Sequence, residues 1–176
     1  KEFANRILLE NPQIVSFSCY IWNITKTLEL CKFIKENSDA IIVLGGPEVS
    51  YRAHKVLEEY EYIDYVLSGE GEFSYPKLID SIGFNGDFAT VEGLSYRYNG
   101  RVITNPEVEC TKTPPTPYSE DFYNNLNGRI AYIETSRGCP YRCAFCLSGR
   151  CSKLRFFDMT QVKKDIINLA NSGTQT

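Results

Sequence analysis

The sequence predicts an α/β protein: a doubly wound parallel sheet followed, after a break, by the opening β/α unit of a second, repeating domain. Three observations carry this expectation. Apolar runs of strand length alternate with segments whose apolar residues recur at helical spacing. One run, "AIIVLGG" (Ala40 to Gly46), is continuously apolar and ends in two glycines, as a central parallel strand covered on both faces requires. Past residue 128 the strand-then-helix alternation starts again behind a proline-rich stretch.

In chain order, "IVSFSCYI" (Ile14 to Ile21) is β-branched and aromatic enough for a buried strand. Ile24, Leu28, Cys31 and Ile34 then share one helical face within Ile24 to Lys35, with Asn23 or Thr25 available as N-cap. After the strand at Ala40 to Gly46, a second helix face is marked by Ala53, Val56, Leu57 and Tyr60. "YIDYVLSG" (Tyr62 to Gly69) supplies a third strand, and Tyr75, Leu78, Ile79 and Ile82 a third helix face. Each helix can cross over between parallel strands. "VEGLSYRYNGRVIT" (Val91 to Thr104) changes the pattern to two short strands around Asn99-Gly100, a hairpin signal. The tyrosines Tyr96 and Tyr98 read there as cross-strand packing.

Residues 105–127 contain Pro106, Pro114, Pro115 and Pro117 and read as an extended linker. "RIAYIETS" (Arg129 to Ser136) then looks like a strand, and Val162, Ile166, Leu169 and Ala170 like a helix face. The expected organisation is a domain over 1–104, a linker over 105–127 and the start of a second domain over 128–176. The only methionine is Met159 and the chain opens at Lys1 in what reads as mid-helix, so an internal fragment of a longer protein is expected.

Composition narrows the function classes. With 43% hydrophobic and 23% charged residues the chain can bury a core. Lys+Arg 19 against Asp+Glu 22 gives a net charge of -3, no electrostatic footprint for nucleic acid. No apolar run approaches the roughly 20 residues of a membrane-spanning helix, and no signal peptide is evident, so the cytoplasm is the expected location. Of the seven cysteines, four lie between Cys139 and Cys151. In a cytosolic protein such clustering reads as metal or redox chemistry and not as a disulfide framework.

"RGCPYRCAFC" (Arg137 to Cys146) places Cys139, Cys143 and Cys146 at C-x3-C-x2-C spacing. A short loop can wrap three thiolates around one corner of a metal cluster while backbone amides point at the sulfurs. A structural zinc site is normally closed by four ligands, and neither a second cysteine pair nor a nearby histidine is present; the sole histidine is His54. Three ligands on a four-iron cluster leave one iron open. Cys151 could close the set as a fourth ligand, or be a loop cysteine without a ligand role. Cys19 and Cys31 fall in a strand and a helix face and read as small buried residues.

"ETSRGCPYRCAFC" resembles the C-x3-C-x-Φ-C loop of the radical S-adenosylmethionine superfamily, with Phe145 at the aromatic position. The resemblance implies a [4Fe-4S] cluster on Cys139, Cys143 and Cys146, whose open iron chelates the amino and carboxylate groups of S-adenosylmethionine, with Phe145 near the adenine. It implies reductive cleavage of that cofactor to a 5'-deoxyadenosyl radical, with no catalytic residue beyond the cluster ligands. Further, "VLGGPEVSYRAHKVLEEYEYIDYVLSGEGEFSYPKLIDSI" with "VEGLSYRYNGRVITNP" resembles the cobalamin-binding-domain subgroup, which includes methyltransferases and anaerobic magnesium-protoporphyrin ester cyclases. By that resemblance the first domain is a cobalamin-binding-like, Rossmann/flavodoxin-like sheet, and the second is the first unit of an incomplete radical S-adenosylmethionine barrel. Gly45 and Gly46 would lie against the cobalamin tail; their alternative reading is a tight turn that needs small residues.

That family often has histidine where this chain has Glu48. His54 reads as a solvated surface residue, and Glu70 and Glu72 as loop carboxylates or a charge at a helix N-terminus. The implied partners are a small-molecule substrate and an external electron donor such as flavodoxin or ferredoxin, with no nucleic acid and no membrane. The implied outcome is methyl transfer, cyclisation or rearrangement. A different class, a cobalamin- or nucleotide-binding module whose cysteines hold a non-catalytic metal, is the alternative. A thiol-disulfide oxidoreductase is disfavoured, because Cys143-Ala-Phe-Cys146 does not open a thioredoxin-like βαβ pattern.

Overall fold

The computed structural model describes residues 2–84, 86–108, 111–141, 143–146 and 154–175. Cys151 lies outside the described residues. The chain divides into two compact units, Lys1–Val108 and Glu109–Thr176.

The first unit runs α1 (Glu2–Leu9), β1 (Ile14–Ser18), α2 (Ile24–Asn37), β2 (Ile41–Gly45), α3 (Pro47–Ser50), α4 (Ala53–Glu59), β3 (Tyr65–Leu67), α5 (Gly71–Gly83), a 3-10 turn (Phe88–Thr90), β4 (Leu94–Tyr98) and β5 (Arg101–Thr104). The five strands lie in the order β1-β2-β3-β4-β5. The pairs β1–β2 and β2–β3 are parallel, whereas β3–β4 and β4–β5 are antiparallel. The expected hairpin is present: Asn99 and Gly100 take positive φ of 50° and 75°, the backbone of a two-residue turn matched to strand twist. Its first strand also pairs with β3, so the hairpin extends the parallel sheet into a mixed one.

Helices cover both faces of the sheet, and this explains the unbroken apolar run of β2. Ile42 and Leu44 point to one cluster, with Val15, Val66 and the α2 and α4 residues Cys31, Ile34, Val56 and Leu57. Val43 points to the other, with Leu67, Leu94, Tyr96 and the α5 residue Leu78. Residues that alternate across a pleated strand are therefore all buried, each worth roughly 1.5–3 kcal/mol when fully removed from water. Of the two tyrosines read as cross-strand packing, Tyr96 is buried opposite Ile103, but Tyr98 is exposed, because it lies beside the hairpin turn.

Polar ties fix the elements at the end of the sheet away from the strand C-termini. Asp64 accepts from Lys35 Nζ at 2.8 Å and from the Ile42 N–H at 2.7 Å, joining α2 to the start of β2. The Arg97 guanidinium donates to the carbonyls of Leu57, Tyr60 and Ile63 and so holds β4 to the end of α4. No helix among the described residues is long and apolar enough to cross a membrane.

The second unit contains α6 (Glu120–Asn124), β6 (Ser136–Arg137), β7 (Arg155–Phe156) and α7 (Met159–Asn171). Three sequence expectations change here. Residues 111–127 cluster with this unit and carry α6, capped by Ser119, whose hydroxyl accepts from the Phe122 N–H. "RIAYIETS" forms a ladder only at its end, where Ser136 and Arg137 pair antiparallel with Phe156 and Arg155. A strand needs a neighbour for its N–H and C=O groups, and no described segment forms a ladder with residues 130–134. The Tyr118 hydroxyl holds this segment instead, donating to the Tyr132 carbonyl at 2.5 Å, and the Phe157 N–H donates to the Thr135 carbonyl at 2.9 Å, one residue beyond the β6–β7 ladder. Finally, α7 buries Val162, Asp165 and Leu169 and leaves Ile166 and Ala170 exposed. Asp165 can occupy the buried row because Thr116 and Gln161 donate to its carboxylate at 3.2 and 2.8 Å.

Candidate functional site

Two loci merit attention, one in each unit. In the first, the three parallel strands all end at one edge of the sheet, with Ser18 opposite Gly45 and Gly45 opposite Leu67. Ligands of open α/β sheets bind outside these carboxyl ends. Gly46 follows β2 with φ +93° and ψ 168°, a region open essentially only to glycine. A Cβ there would lie 2.7 Å from the Cys19 carbonyl oxygen and 2.8 Å from its nitrogen. The backbones of the two loops are indeed joined: the Cys19 N–H donates to the Gly45 carbonyl at 2.7 Å, and the Glu48 N–H to the Cys19 carbonyl at 3.1 Å. At Gly45 a Cβ would meet the Leu67 carbonyl oxygen at 3.4 Å. Local packing alone therefore requires glycine at 46, and the packing at 45 is close.

The loop from β1 to α2 carries a feature that sequence reasoning missed. Tyr20 and Trp22 stack with ring centroids 4.7 Å apart and planes within 5°. Trp22 is 76% exposed and Ile21 78%. Asn23 folds this loop: its Oδ1 accepts from the Tyr20 N–H at 2.7 Å and its Nδ2 donates to the Ser18 carbonyl at 2.9 Å. The Asn23 side chain thus shapes the loop and does not cap α2. A tryptophan just past an apolar strand was the available signal, and the strand reading that ran on to Ile21 obscured it.

Behind this loop Cys19 and Cys31 are fully buried. Burial, and secondarily the charge of Glu48, push the Cys19 thiol up to about 11; burial, then Cys19, push Cys31 up to about 12. Both stay protonated at neutral pH, as small core residues should. His54 is exposed on α4 and lies 3.3 Å from Glu58 one turn on. Glu70 is the N-cap residue of α5 and Glu72 stands in its first turn, where a carboxylate suits the helix dipole.

The second locus is the loop between β6 and β7. Gly138, with φ +90°, turns the chain out of β6 into Cys139. Cys139 and Cys146 are half-buried and Cys143 is exposed. The Cys146 N–H donates to the Cys143 carbonyl at 3.1 Å, closing a turn that brings the last two cysteines onto one short bend. Phe145, between them, is 92% exposed. Among the described residues no three His, Cys, Asp or Glu side chains converge into a metal-holding group. The donor set nonetheless suits an iron-sulfur cluster, since its side chains are thiols, are within reach of solvent and sit on one loop.

The stem of that loop is cationic. Arg137 and Arg155 are direct partners across the β6–β7 ladder. Their guanidinium carbons stand 5.7 and 5.8 Å from the ring centroid of Phe157, which is buried. Arg137 also holds Glu134 through two bonds, Nε to Oε1 at 2.8 Å and Nη2 to Oε2 at 2.9 Å.

Residues 1–79 match the family described as the B12 binding domain. The chain is 29% identical over 178 residues to the 2-(S-pantetheinyl)-carbapenam-3-carboxylate methyltransferase of Streptantibioticus cattleyicolor, covering 90% of this chain and 25% of that protein. It is 29% identical over 184 residues to the cobalamin-dependent radical SAM methyltransferase TokK of Streptomyces tokunonensis, covering 94% and 26%. Among solved structures it resembles the cobalamin-dependent S-adenosylmethionine radical enzyme OxsB, with a TM-score of 0.79 and 24% identity over 98% of this chain and 25% of that one. The chain thus spans about a quarter of the length of these relatives.

Proposed function

We propose, because this chain belongs to the cobalamin-binding-domain subgroup of the radical S-adenosylmethionine superfamily, that the protein is a cobalamin-using iron-sulfur enzyme acting by radical chemistry on a small molecule. The observation that carries this reading is the C-x3-C-x2-C loop in the same chain as a match to the B12 binding domain. In this proposal the unit Lys1–Val108 is the cobalamin-binding domain and the unit Glu109–Thr176 carries the start of the catalytic barrel.

Cys139, Cys143 and Cys146 would hold a [4Fe-4S] cluster, which when bound supplies the electron for reductive cleavage of S-adenosylmethionine. The chain's own residues bind and orient. Phe145 offers an uncovered ring to the adenine. Gly45 and Gly46 keep the strand ends free of side chains where a cobalamin tail would pass, and Tyr20 with Trp22 presents a flat aromatic surface beside them. The outcome is methyl transfer, cyclisation or rearrangement, with an external one-electron donor of the flavodoxin or ferredoxin kind, in the cytoplasm.

Anaerobic reconstitution with iron and sulfide tests this reading. The expected product carries about four irons per chain and gives a cluster spectrum that S-adenosylmethionine perturbs; replacing any one of the three cysteines with alanine abolishes it. One stoichiometric zinc bound by four sulfurs would instead favour a binding module with a non-catalytic metal.

A further inference from the structure

One edge of the strand-like segment before the cysteine loop already has the beginning of a neighbour. α7 ends at Asn171, Ser172 is its C-cap residue, and Gly173, with φ +78°, turns the chain back. Residues 173–175 then lie beside the start of that segment. The Gly128 N–H donates to the Gly173 carbonyl at 3.0 Å, and the Arg129 carbonyl accepts from Thr174 Oγ1 at 2.7 Å and from the Gln175 N–H at 3.1 Å. A Cβ at Gly173 would stand 2.7 Å from Asn127 Oδ1, so the approach is close. Residue numbers rise together on the two sides, 128 with 173 and 129 with 175, so the stretches run parallel. Parallel neighbours need a crossover connection, and α7 lies in it.

Past this contact the same edge is open among the described residues. Ile130, Tyr132 and Ile133 are exposed, and no backbone bond from a described residue reaches the N–H of Ala131 or Ile133. An extended chain sends the N–H and C=O of alternate residues to the same side, so Ala131 and Ile133 face as Arg129 does. Tyr132 faces the opposite side, where its carbonyl accepts from the Tyr118 hydroxyl. The two edges are thereby distinguished: Tyr118 holds one at Tyr132, and the other is bonded to 174 and 175 at Arg129.

We propose that the edge bearing Ala131 and Ile133 is a docking edge for a parallel β-strand, and that its occupant is the chain following Gln175, carried on as extended strand. The continuity of the contact selects that occupant. A chain already bonded at Arg129 and heading the same way closes no new loop to reach Ala131 and Ile133. Pairing there satisfies N–H and C=O groups that composition alone left without a ladder. The segment runs directly into β6 and Cys139, so the added strand anchors the entry to the cysteine loop. This goes beyond the cluster chemistry proposed above and does not depend on it.

The test extends the full chain past Thr176 with a short tail of alternating threonine and valine and reads amide exchange residue by residue by NMR. The tail is expected to slow exchange at Ala131 and Ile133 by about fivefold, one net hydrogen bond apiece, and to leave Tyr132 unchanged. A tail of proline alone, which lacks N–H groups and keeps to polyproline II, should slow neither. Gln175→Pro in the threonine–valine chain should cancel the slowing, because it removes the N–H that bonds Arg129. Unchanged exchange at Ala131 and Ile133 overturns the proposal, as does equal slowing at Tyr132 or with the proline tail. Slowing that is present without a tail and grows with protein concentration assigns the edge to a second copy and overturns it as well. Iron content after reconstitution is read separately: a chain that binds no cluster yet shows the alternating protection loses only the cluster assignment, and a loaded chain without that protection loses only this proposal.

Discussion

Gly46 illustrates how one residue joins backbone sterics to a site. Its φ of +93° and the 2.7 Å approach of the Cys19 carbonyl leave no room for a side chain, so the loops after β1 and β2 are joined through it. Gly46→Ala is expected to destabilise the first unit by about 1–3 kcal/mol, read from urea unfolding, with Gly45→Ala milder because its nearest neighbour is at 3.4 Å. Cysteine chemistry divides by environment at the same scale. Cys19 and Cys31 are expected to resist iodoacetamide at neutral pH until the chain unfolds, and Cys143 to react in the native state; mass spectrometry of the alkylated peptides reads this directly. Both fates were legible in the sequence, because apolar periodicity buried the first two and a short glycine- and proline-bearing motif placed the third on a loop. The stacked Tyr20 and Trp22 were not legible, since their orientation depends on the Asn23 bonds that end β1 three residues early.

At the scale of elements, strands and helices with neighbours inside the chain matched expectation, and those without did not. β2 and the parallel pairs around it follow from apolar runs, because burial on both faces leaves no other pattern. The segment 130–134 has the composition of a strand but no ladder among the described residues, since composition cannot supply a partner. α5 shows how an ion pair ties an element in place: Lys77 Nζ lies 2.6 Å from Glu92 Oε1, joining the helix to the turn before β4. The Lys77 hydrogen bond, aided by a backbone one, holds the Glu92 carboxyl below its usual range. A folded-state pKa below the unfolded value means the contribution is present above the unfolded pKa, about 4.3, and is lost as pH falls through the folded one. Lys77→Met is therefore expected to flatten the decline of stability between about pH 5 and 3. The effect should be small because both side chains are largely exposed, and urea midpoints across that range measure it.

For the whole molecule, the two units differ in how much of their backbone is paired. The first has five hydrogen-bonded strands between helices; among its described residues the second has a two-stranded ladder of two residues each. Native-state hydrogen exchange is expected to protect the amides of β2 by orders of magnitude more than those of residues 130–134. Equal protection would mean that the segment is paired in solution. By itself the sequence determined the α/β class, the hairpin at Asn99-Gly100 and the three-thiol loop, because burial periodicity, positive-φ turn residues and ligand spacing are local properties. Only the tertiary structure decided that β4 joins β3, that Gly46 abuts Cys19, that Asp165 and not Ile166 faces inward on α7, and that Arg137 meets Arg155 around Phe157. Those facts depend on which distant backbones and side chains come within a few ångströms of one another, and local pattern does not encode that.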